Sequence, residues 1–359
     1  MIFESLSFDD VNLIPKYNDK SRKQVSIAMD FAGFVFAHPF ISSNMDTITG
    51  PKMAAAMHET GGFGILHRFC TIEENLQMFK DAGCVWQGSC DYKSHGVGVS
   101  IGIKDEEIER AAALYEAGAR IICVDIAHGH SKQMGQMLKK LRDNFPGITL
   151  IAGNVATYAG ADYLISCGAH AVKVGIGPGG ACSTRMKTGC GVPQLTAIME
   201  ASKANGIIIA DGGVKTPGDA VKALAAGAHF VMLGSFFAGC SETPGEVVEY
   251  PSANSDLLYG KPINHIIRRK RFRGMASREA QEDFMGKMDD WKTAEGVSIE
   301  VPYTGPVADK VADLCGGLRS GMTYCGAASI DELHRRADFT KISHSGYMEG
   351  TPHASTRLA

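Results

Sequence analysis

One cysteine held in a run of glycines is the first place where this sequence could do chemistry. The run Gly175-Ile176-Gly177-Pro178-Gly179-Gly180-Ala181-Cys182-Ser183-Thr184-Arg185 follows His170-Ala171-Val172-Lys173-Val174, which reads as a buried parallel strand. Beyond it, Pro193 is expected to open a helix, where its missing amide proton costs nothing. Glycines let the backbone turn sharply and keep β-carbons out of a ligand's way. A thiol at such an address attacks electrophilic carbon once a neighbour takes its proton.

Other apolar runs end in polar or glycine residues of the same kind. Asn44 and Asp46, His67 and Arg68, Asp125 and His128, Asn154, Asp211-Gly212-Gly213 and Gly234-Ser235 each follow a strand-like segment. A carboxylate followed by two glycines suits a sugar, because it accepts from vicinal hydroxyls while the glycines clear space. The Gly234-Ser235 turn suits a phosphate, held by amides and one hydroxyl. Each pair alone is equally a strand-ending turn. On neighbouring strand ends they point to a nucleoside monophosphate.

Eight short apolar runs supply those ends, at residues 40–45, 62–66, 97–101, 121–125, 149–153, 171–175, 207–211 and 230–234, with helical patterns such as 105–117 and 217–226 between them. Repeated βα units predict a parallel sheet, and eight of them predict a closed (β/α)8 barrel, the TIM-barrel architecture, whose reactive face lies at the strands' carboxyl ends. A doubly wound open sheet is the competing arrangement. The pattern breaks over residues 245–305, which are rich in charge and turn residues and read as a long flap inserted after the eighth strand of a single catalytic domain spanning 1–359. Helical periodicity returns over 306–341, and the stretch from 344 onward reads as loosely held.

Composition narrows the function classes. The chain has 359 residues, 45% of them hydrophobic, and a net charge of −3, so bulk charge argues for neither nucleic acid nor an anionic membrane as partner. No apolar run reaches the length of a membrane span, and the first residues lack the pattern of a secretory leader. Ten cysteines without paired metal-type spacing suit a reducing compartment, and the chain is read as cytoplasmic. The histidines at strand ends, His67, His128 and His130, have no metal-ligand company.

Taken together, Phe8-Asp9-Asp10-Val11, Asn44-Met45-Asp46-Thr47, the Cys182 loop, Asp211-Gly212-Gly213, Phe272-Arg273-Gly274-Met275-Ala276-Ser277, Glu295-Gly296 and Gly316-Gly317-Leu318-Arg319-Ser320 resemble the IMP dehydrogenase and GMP reductase family over essentially the whole chain. The resemblance implies a cysteine adduct at purine carbon 2, with Asp211, Gly212, Gly213, Gly234 and Ser235 on ribose and phosphate. Gly274, Met275, Ala276 and Gly296 would join them on the substrate. For a nicotinamide cofactor it implies Asp125, Ile126, Ala127, Trp291, Lys292, Ser320, Gly321, Met322 and Thr323, with Ser21 and Arg22 reaching in from a neighbouring subunit of a homotetramer. An arginine suits the extra phosphate of NADPH. Gly177, Gly179, Cys182 and Arg185 are the implied potassium set.

Two members of the family fit differently. Dehydrogenases of the family carry regulatory cystathionine-synthase-type modules, and the segment 80–96 has no room for them. Their flap holds an Arg-Tyr pair that serves the hydrolytic water, whereas here the corresponding stretch reads Glu282-Asp283-Phe284-Met285-Gly286. The shorter reductase flap uses a glutamate and the threonine two residues after the cysteine to handle protons, which are Glu295 and Thr184 here. The resemblance therefore implies NADPH-dependent reductive deamination of GMP to IMP. A dehydrogenase without the regulatory modules, and a nucleotide-binding barrel without catalysis, are the alternatives. Gly180 stands where the family has serine, and the basic run Arg268-Arg269-Lys270-Arg271 reads either as a solvated hairpin or as a partner or phosphate contact.

Overall fold

The computed structural model describes residues 4–31, 33–84, 96–251, 257–258, 261–262 and 266–350. Much of the segment expected to lack a regulatory module, residues 85–95, and part of the 245–305 flap lie outside them. Eight parallel strands close into a barrel: β1 (Phe40–Ser42), β2 (Phe63–Leu66), β3 (Val97–Ile101), β4 (Ile121–Asp125), β5 (Thr149–Val155), β6 (Ala171–Val174), β7 (Ile207–Asp211) and β8 (Phe230–Leu233). Each pairs with its successor in sequence, and β8 pairs with β1. These are the eight apolar runs expected from sequence.

Side-chain alternation divides the core in two. Along β4, Ile121 and Cys123 point into the lumen with Ile41, Phe63, Ile65, Ile151, Ile209, Phe230 and Met232, while Ile122 and Val124 face the outer helices. A hairpin of Met29–Phe31 and Phe34–Phe36 plugs the amino-terminal end of the lumen, with Phe36 stacked on Phe63 at 4.5 Å between ring centres.

The helices between strands are α1 (Pro51–Glu59), α2 (Ile72–Cys84), α3 (Glu107–Glu116), α4 (Lys132–Asn144), α5 (Tyr158–Ser166), the short α6 (Thr184–Thr188), α7 (Gln194–Ala201) and α8 (Pro217–Ala225). Pro193 is the residue before α7 rather than its first turn, and α6 intervenes directly after the cysteine loop. The flap comes next. It contains a three-stranded antiparallel sheet of β9 (Val248–Pro251), β10 (Ile266–Arg273) and β11 (Ser298–Pro302), with α9 (Arg278–Met285) between the last two strands. The chain then returns as α10 (Val307–Tyr324), which packs between α8 and α1 and closes the helical ring, followed by α11 (Ile330–Arg336). The last described segment is an exposed helix, His344–Glu349. Among the described residues no helix is long and apolar enough to cross a membrane.

The basic run on β10 alternates with the strand. Arg268 pairs with Glu249 at 2.8 Å and Arg271 with Glu279, both at the surface. Lys270 is buried and donates to the carbonyls of Cys240 at 3.2 Å and Thr243 at 2.6 Å, fastening the flap sheet to the loop after β8. The run thus lies on one strand of the flap sheet, with Lys270 turned inward instead of solvated.

Three histidines tie down the amino-terminal rim of the barrel. Ring Nδ1 of His229 accepts the Ile208 N–H at 3.1 Å, His170 Nδ1 accepts that of Leu150 at 3.0 Å, and His38 Nδ1 that of Phe40 at 3.3 Å. Only an unprotonated Nδ1 can accept. Burial lowers the pKa of His38 to about 4, helped by Arg319, and burial with the facing His334 lowers His229 to about 4. The unfolded imidazole takes up its proton near 6.5, ahead of the folded one, so the stability that His38 and His229 contribute should fall as pH drops from about 6.5 to about 4 and level off below, by roughly 1–3 kcal/mol for each of the two. Thermal melts of wild type and His229→Asn, whose Oδ1 can take the same N–H, check this: the variant's Tm should fall less between pH 7 and 4.5, and an equal fall would remove His229 from the account.

Candidate active site

Above the apolar lumen the strands' carboxyl ends open into a cleft of about 430 Å³. The cysteine loop forms one wall, and flap residues 274–276, Gln281, Glu295 and Gly296 form another. Main chain, more than side chain, joins the two. Ser183 N–H donates to the Glu295 carbonyl at 2.8 Å, Val297 N–H to the Ala181 carbonyl at 3.0 Å, and Glu295 N–H to the Ala276 carbonyl at 2.9 Å. Residues 295–297 are therefore a short rung between the cysteine loop and the 274–277 turn, and Cys182 lies opposite Gly296 across a β-bridge. Gly296 is required there, since a β-carbon would stand 2.9 Å from the Ser277 nitrogen.

Of the cysteines, Cys182 is exposed to this cleft, and its thiol donates to the Thr184 hydroxyl at 3.1 Å. Burial pushes Cys70 and Cys240 up to about 11 and Cys123 to about 12, so these remain thiols. Arg273, at the base of the flap, clamps three segments. Its guanidinium donates to Asp46 at 2.5 and 2.9 Å and to Asp283 of α9 at 2.5 Å, while the Asp46 N–H donates to the sulfur of Met275 at 3.4 Å. Phe284 of α9 also meets Phe69 edge-on at 5.7 Å between ring centres.

The cleft brings together Cys182, Thr184, Glu295, Asp211, Gly212, Gly213, Gly234, Ser235, Gly274, Met275, Ala276, Gly296, Asp125, Ile126, Ala127, Gly177 and Gly179. It does not bring in the remaining expected residues. Trp291 is 81% exposed on the flap with Lys292 over its ring, outside the lining. Ser320, Gly321, Met322 and Thr323 lie on α10, on the barrel's outer wall. Met322 is buried in the helical layer, and a β-carbon on Gly321 would stand 2.6 Å from Val221 of α8, so that glycine lets the two helices approach. Ser21 and Arg22 stand at the turn Arg22–Gln24, which packs beside α10, so these six residues lie in one region of the outer wall, with Met322 turned inward. His67, His128 and His130 do not line the cleft either; His130 packs on Tyr163.

The lining also holds Arg68, singled out above as a strand-end residue but given no role, and Gln281 and Lys173, which motif reading did not assign. Arg68 presents a buried Nε without a hydrogen-bond partner, Gln281 reaches from α9, and Lys173 rises from β6. A lysine inside an apolar strand was the available signal for the last. The cleft's acidic floor at Asp125, the free Arg68 donor and the open Asp125–Ala127 edge fit a nicotinamide nucleotide, which brings phosphates and a carboxamide. The implied potassium donors are main-chain carbonyls of one loop, an oxygen set that suits a hard cation: Gly179's accepts the Cys182 N–H at 3.0 Å and keeps a second lone pair, and the Arg185 guanidinium folds against Gly177 and donates to the Val192 carbonyl at 2.5 Å. Among the described residues no group of three or more His, Cys, Asp or Glu could hold a metal ion. At Gly180 a β-carbon would lie 3.1 Å from the Ser235 side chain, so the glycine leaves room beside the expected phosphate site.

Residues 5–353 match the family described as IMP dehydrogenase / GMP reductase domain. The chain is 38% identical to GMP reductase 1 of Mus musculus, covering 94% of this chain and 95% of that protein. A crystal structure of inosine 5′-monophosphate dehydrogenase from Legionella pneumophila is 49% identical, with a TM-score of 0.80 over 96% of this chain and all of that one. A GMP reductase from Trypanosoma brucei, solved as a Cys-to-Ala variant in complex with guanosine 5′-monophosphate, is 29% identical with a TM-score of 0.87 over 99% of each chain.

The main-chain rung makes a direct prediction. Gly296→Ala should push the flap off the cysteine loop, with a loss of stability of about 1–3 kcal/mol and a larger proportional loss of turnover than Gly316→Ala of α10, whose added β-carbon meets nothing within 4 Å. Denaturant melts and steady-state rates of both variants measure it.

Proposed function

The chain belongs to the IMP dehydrogenase / GMP reductase family, an oxidoreductase family that works with nicotinamide cofactors, and within it we propose that this protein is an NADPH-dependent GMP reductase. The observation that carries this reading is the rung itself: it sets Glu295 beside the Cys182 loop, where Thr184 already accepts the thiol's hydrogen bond. No Arg-Tyr pair stands in the flap to activate water.

The residues then have distinct tasks. Cys182 sulfur bonds to purine carbon 2, and the exocyclic amine departs once protonated, leaving a thioimidate on the protein. Thr184 takes the thiol proton, and Glu295 with Thr184 returns protons to the leaving amine. When bound, reduced nicotinamide supplies the hydride that ends on carbon 2 as the carbon–sulfur bond breaks. The thiolate is regenerated, and the balance is GMP, NADPH and two protons to IMP, ammonium and NADP. Asp211 and the glycines beside it accept the ribose, while Gly234 and Ser235 hold the phosphate.

The outer-wall region of Ser21, Arg22 and residues 320–323 supports a homotetramer in which a neighbouring copy completes the cofactor site, since those residues do not enter their own chain's cleft. A cytoplasmic location accords with the nucleotide substrates and the free thiols. The 49% identical dehydrogenase structure favours the second reading, oxidation of IMP with NAD by a chain without regulatory modules.

Absorbance at 340 nm separates the two. Decline of NADPH with GMP marks the reductase, and a rise with NAD and IMP marks the dehydrogenase. Cys182→Ala should abolish either signal while binding nucleotide, and Glu295→Gln should slow GMP reduction by about 10²–10⁴-fold. Full-speed reduction by the glutamine variant would remove Glu295 from proton transfer.

A further inference from the structure

The lumen's apolar filling ends at a single cation. Lys173 of β6 is 3% exposed in its side chain, and its ammonium lies 2.7 Å from Asp125 Oδ1 on β4 and 3.1 Å from Asp211 Oδ2 on β7. It also donates to Asn44 Oδ1 at 3.2 Å. The ammonium thus faces protein groups on several sides, away from open solvent.

Strand geometry explains how one side chain reaches both acids. Position parity turns Lys173 inward with Ala171, Asp125 inward with Ile121 and Cys123, and Asp211 inward with Ile207 and Ile209. In register, Gly153 of β5 stands between Asp125 and Lys173, and a β-carbon there would be 2.5 Å from that of Lys173. Glycine at 153 is what lets the lysine stem cross. Asp211 Oδ2 receives a second donor, Asn154 Nδ2, at 2.9 Å.

Burying an ammonium costs several kcal/mol unless its partners are well placed, and a methionine would fill the same space without that cost. Two carboxylates converging without a cation would in turn repel each other. The groups that face this cluster are Asp125 and Cys123 from β4, Asp211 from β7, Arg68 after β2, Asn44 after β1 and the Met232 sulfur of β8 at 3.7 Å. Burial opposes the lysine's charge, yet the two aspartates together outweigh it and hold the ammonium above the ordinary lysine range.

We propose that Lys173 is a positioning residue that holds the Asp125 and Asp211 carboxylates aligned with one another against their mutual repulsion, so that one buried cation governs the nucleotide rim and the cofactor rim of the cleft together. The inference rests on the proposed function in assigning Asp211 to the ribose and Asp125 to the cofactor. Either family reaction would need it.

Calorimetric titration of the full-length protein with GMP and with IMP, from pH 5.5 to 8.5, tests the proposal without turnover. Both nucleotides carry a phosphate that titrates at about pH 6, so affinity is read as the ratio of each variant to wild type at the same pH. For Lys173→Arg that ratio should vary by less than about three-fold across the range. Lys173→Met leaves the two converging carboxylates without their cation, which favours a shared proton, and its ratio should fall further as pH drops, by up to about ten-fold per pH unit over part of the range. A loss equal at every pH would make Lys173 a packing residue and overturn the proposal, as would no loss.

Should Lys173→Met not fold, Lys173→Met/Asp125→Asn removes one acid with the cation and should keep a constant affinity ratio to wild type across the range; a ratio that still falls with pH overturns the proposal, and so does failure of both variants to fold. Affinity is read directly, so a chain that binds both nucleotides and reduces neither would sink the reductase reading while leaving this one intact.

Discussion

A period of two along eight parallel strands is the constraint from which the rest of this molecule follows. Closing the sheet gives every strand an inside and an outside, and alternate side chains must fill a lumen too narrow for water-lined packing. Ile121 and Cys123 obey it on β4, as do Ala171 on β6 and Ile207 with Ile209 on β7. The same alternation, carried one step beyond the apolar layers, delivers Asp125, Lys173 and Asp211 to one point at the top. Register, not a separate binding loop, creates the polar floor of the cleft.

The walls above that floor are assembled differently. The cysteine loop and the flap meet through amide-to-carbonyl bonds at residues 181, 183, 295 and 297, so the docking geometry belongs to the backbone. Side chains then supply direction: Arg273 draws Asp46 and Asp283 together, and Lys270 anchors the flap sheet to the loop after β8. With α10 packed between α8 and α1, the flap is anchored to the barrel at both of its ends.

Much of this was legible in the sequence, because it depends on local signals. All eight strands announced themselves as short apolar runs, and the thiol, its threonine and the strand-end residues of the cleft stood in recognisable glycine turns. What escaped depends on distance in the chain. Lys173 reads as an interruption of a strand until its partners, 48 and 38 positions away, are folded around it. The Gly316-Gly317-Leu318-Arg319-Ser320 motif carries no mark telling that Gly317 and Gly321 serve helix contact with Pro217 and Val221. Likewise, the tripeptide Gly-Ala-His at 168–170 and again at 227–229 does the same structural job twice, a strand N–H caught by an imidazole, which only pairing reveals.

The seam between flap and cysteine loop has an implication for divergence. Amide-to-carbonyl joints are indifferent to side-chain identity so long as glycine is kept where space is short. Substitutions at neighbouring flap positions can therefore accumulate without loosening the closure, and the proton-handling group presented to the sulfur can be exchanged while the scaffold stays as it is. A family that divides into oxidising and reducing branches on one barrel is what such a joint would permit.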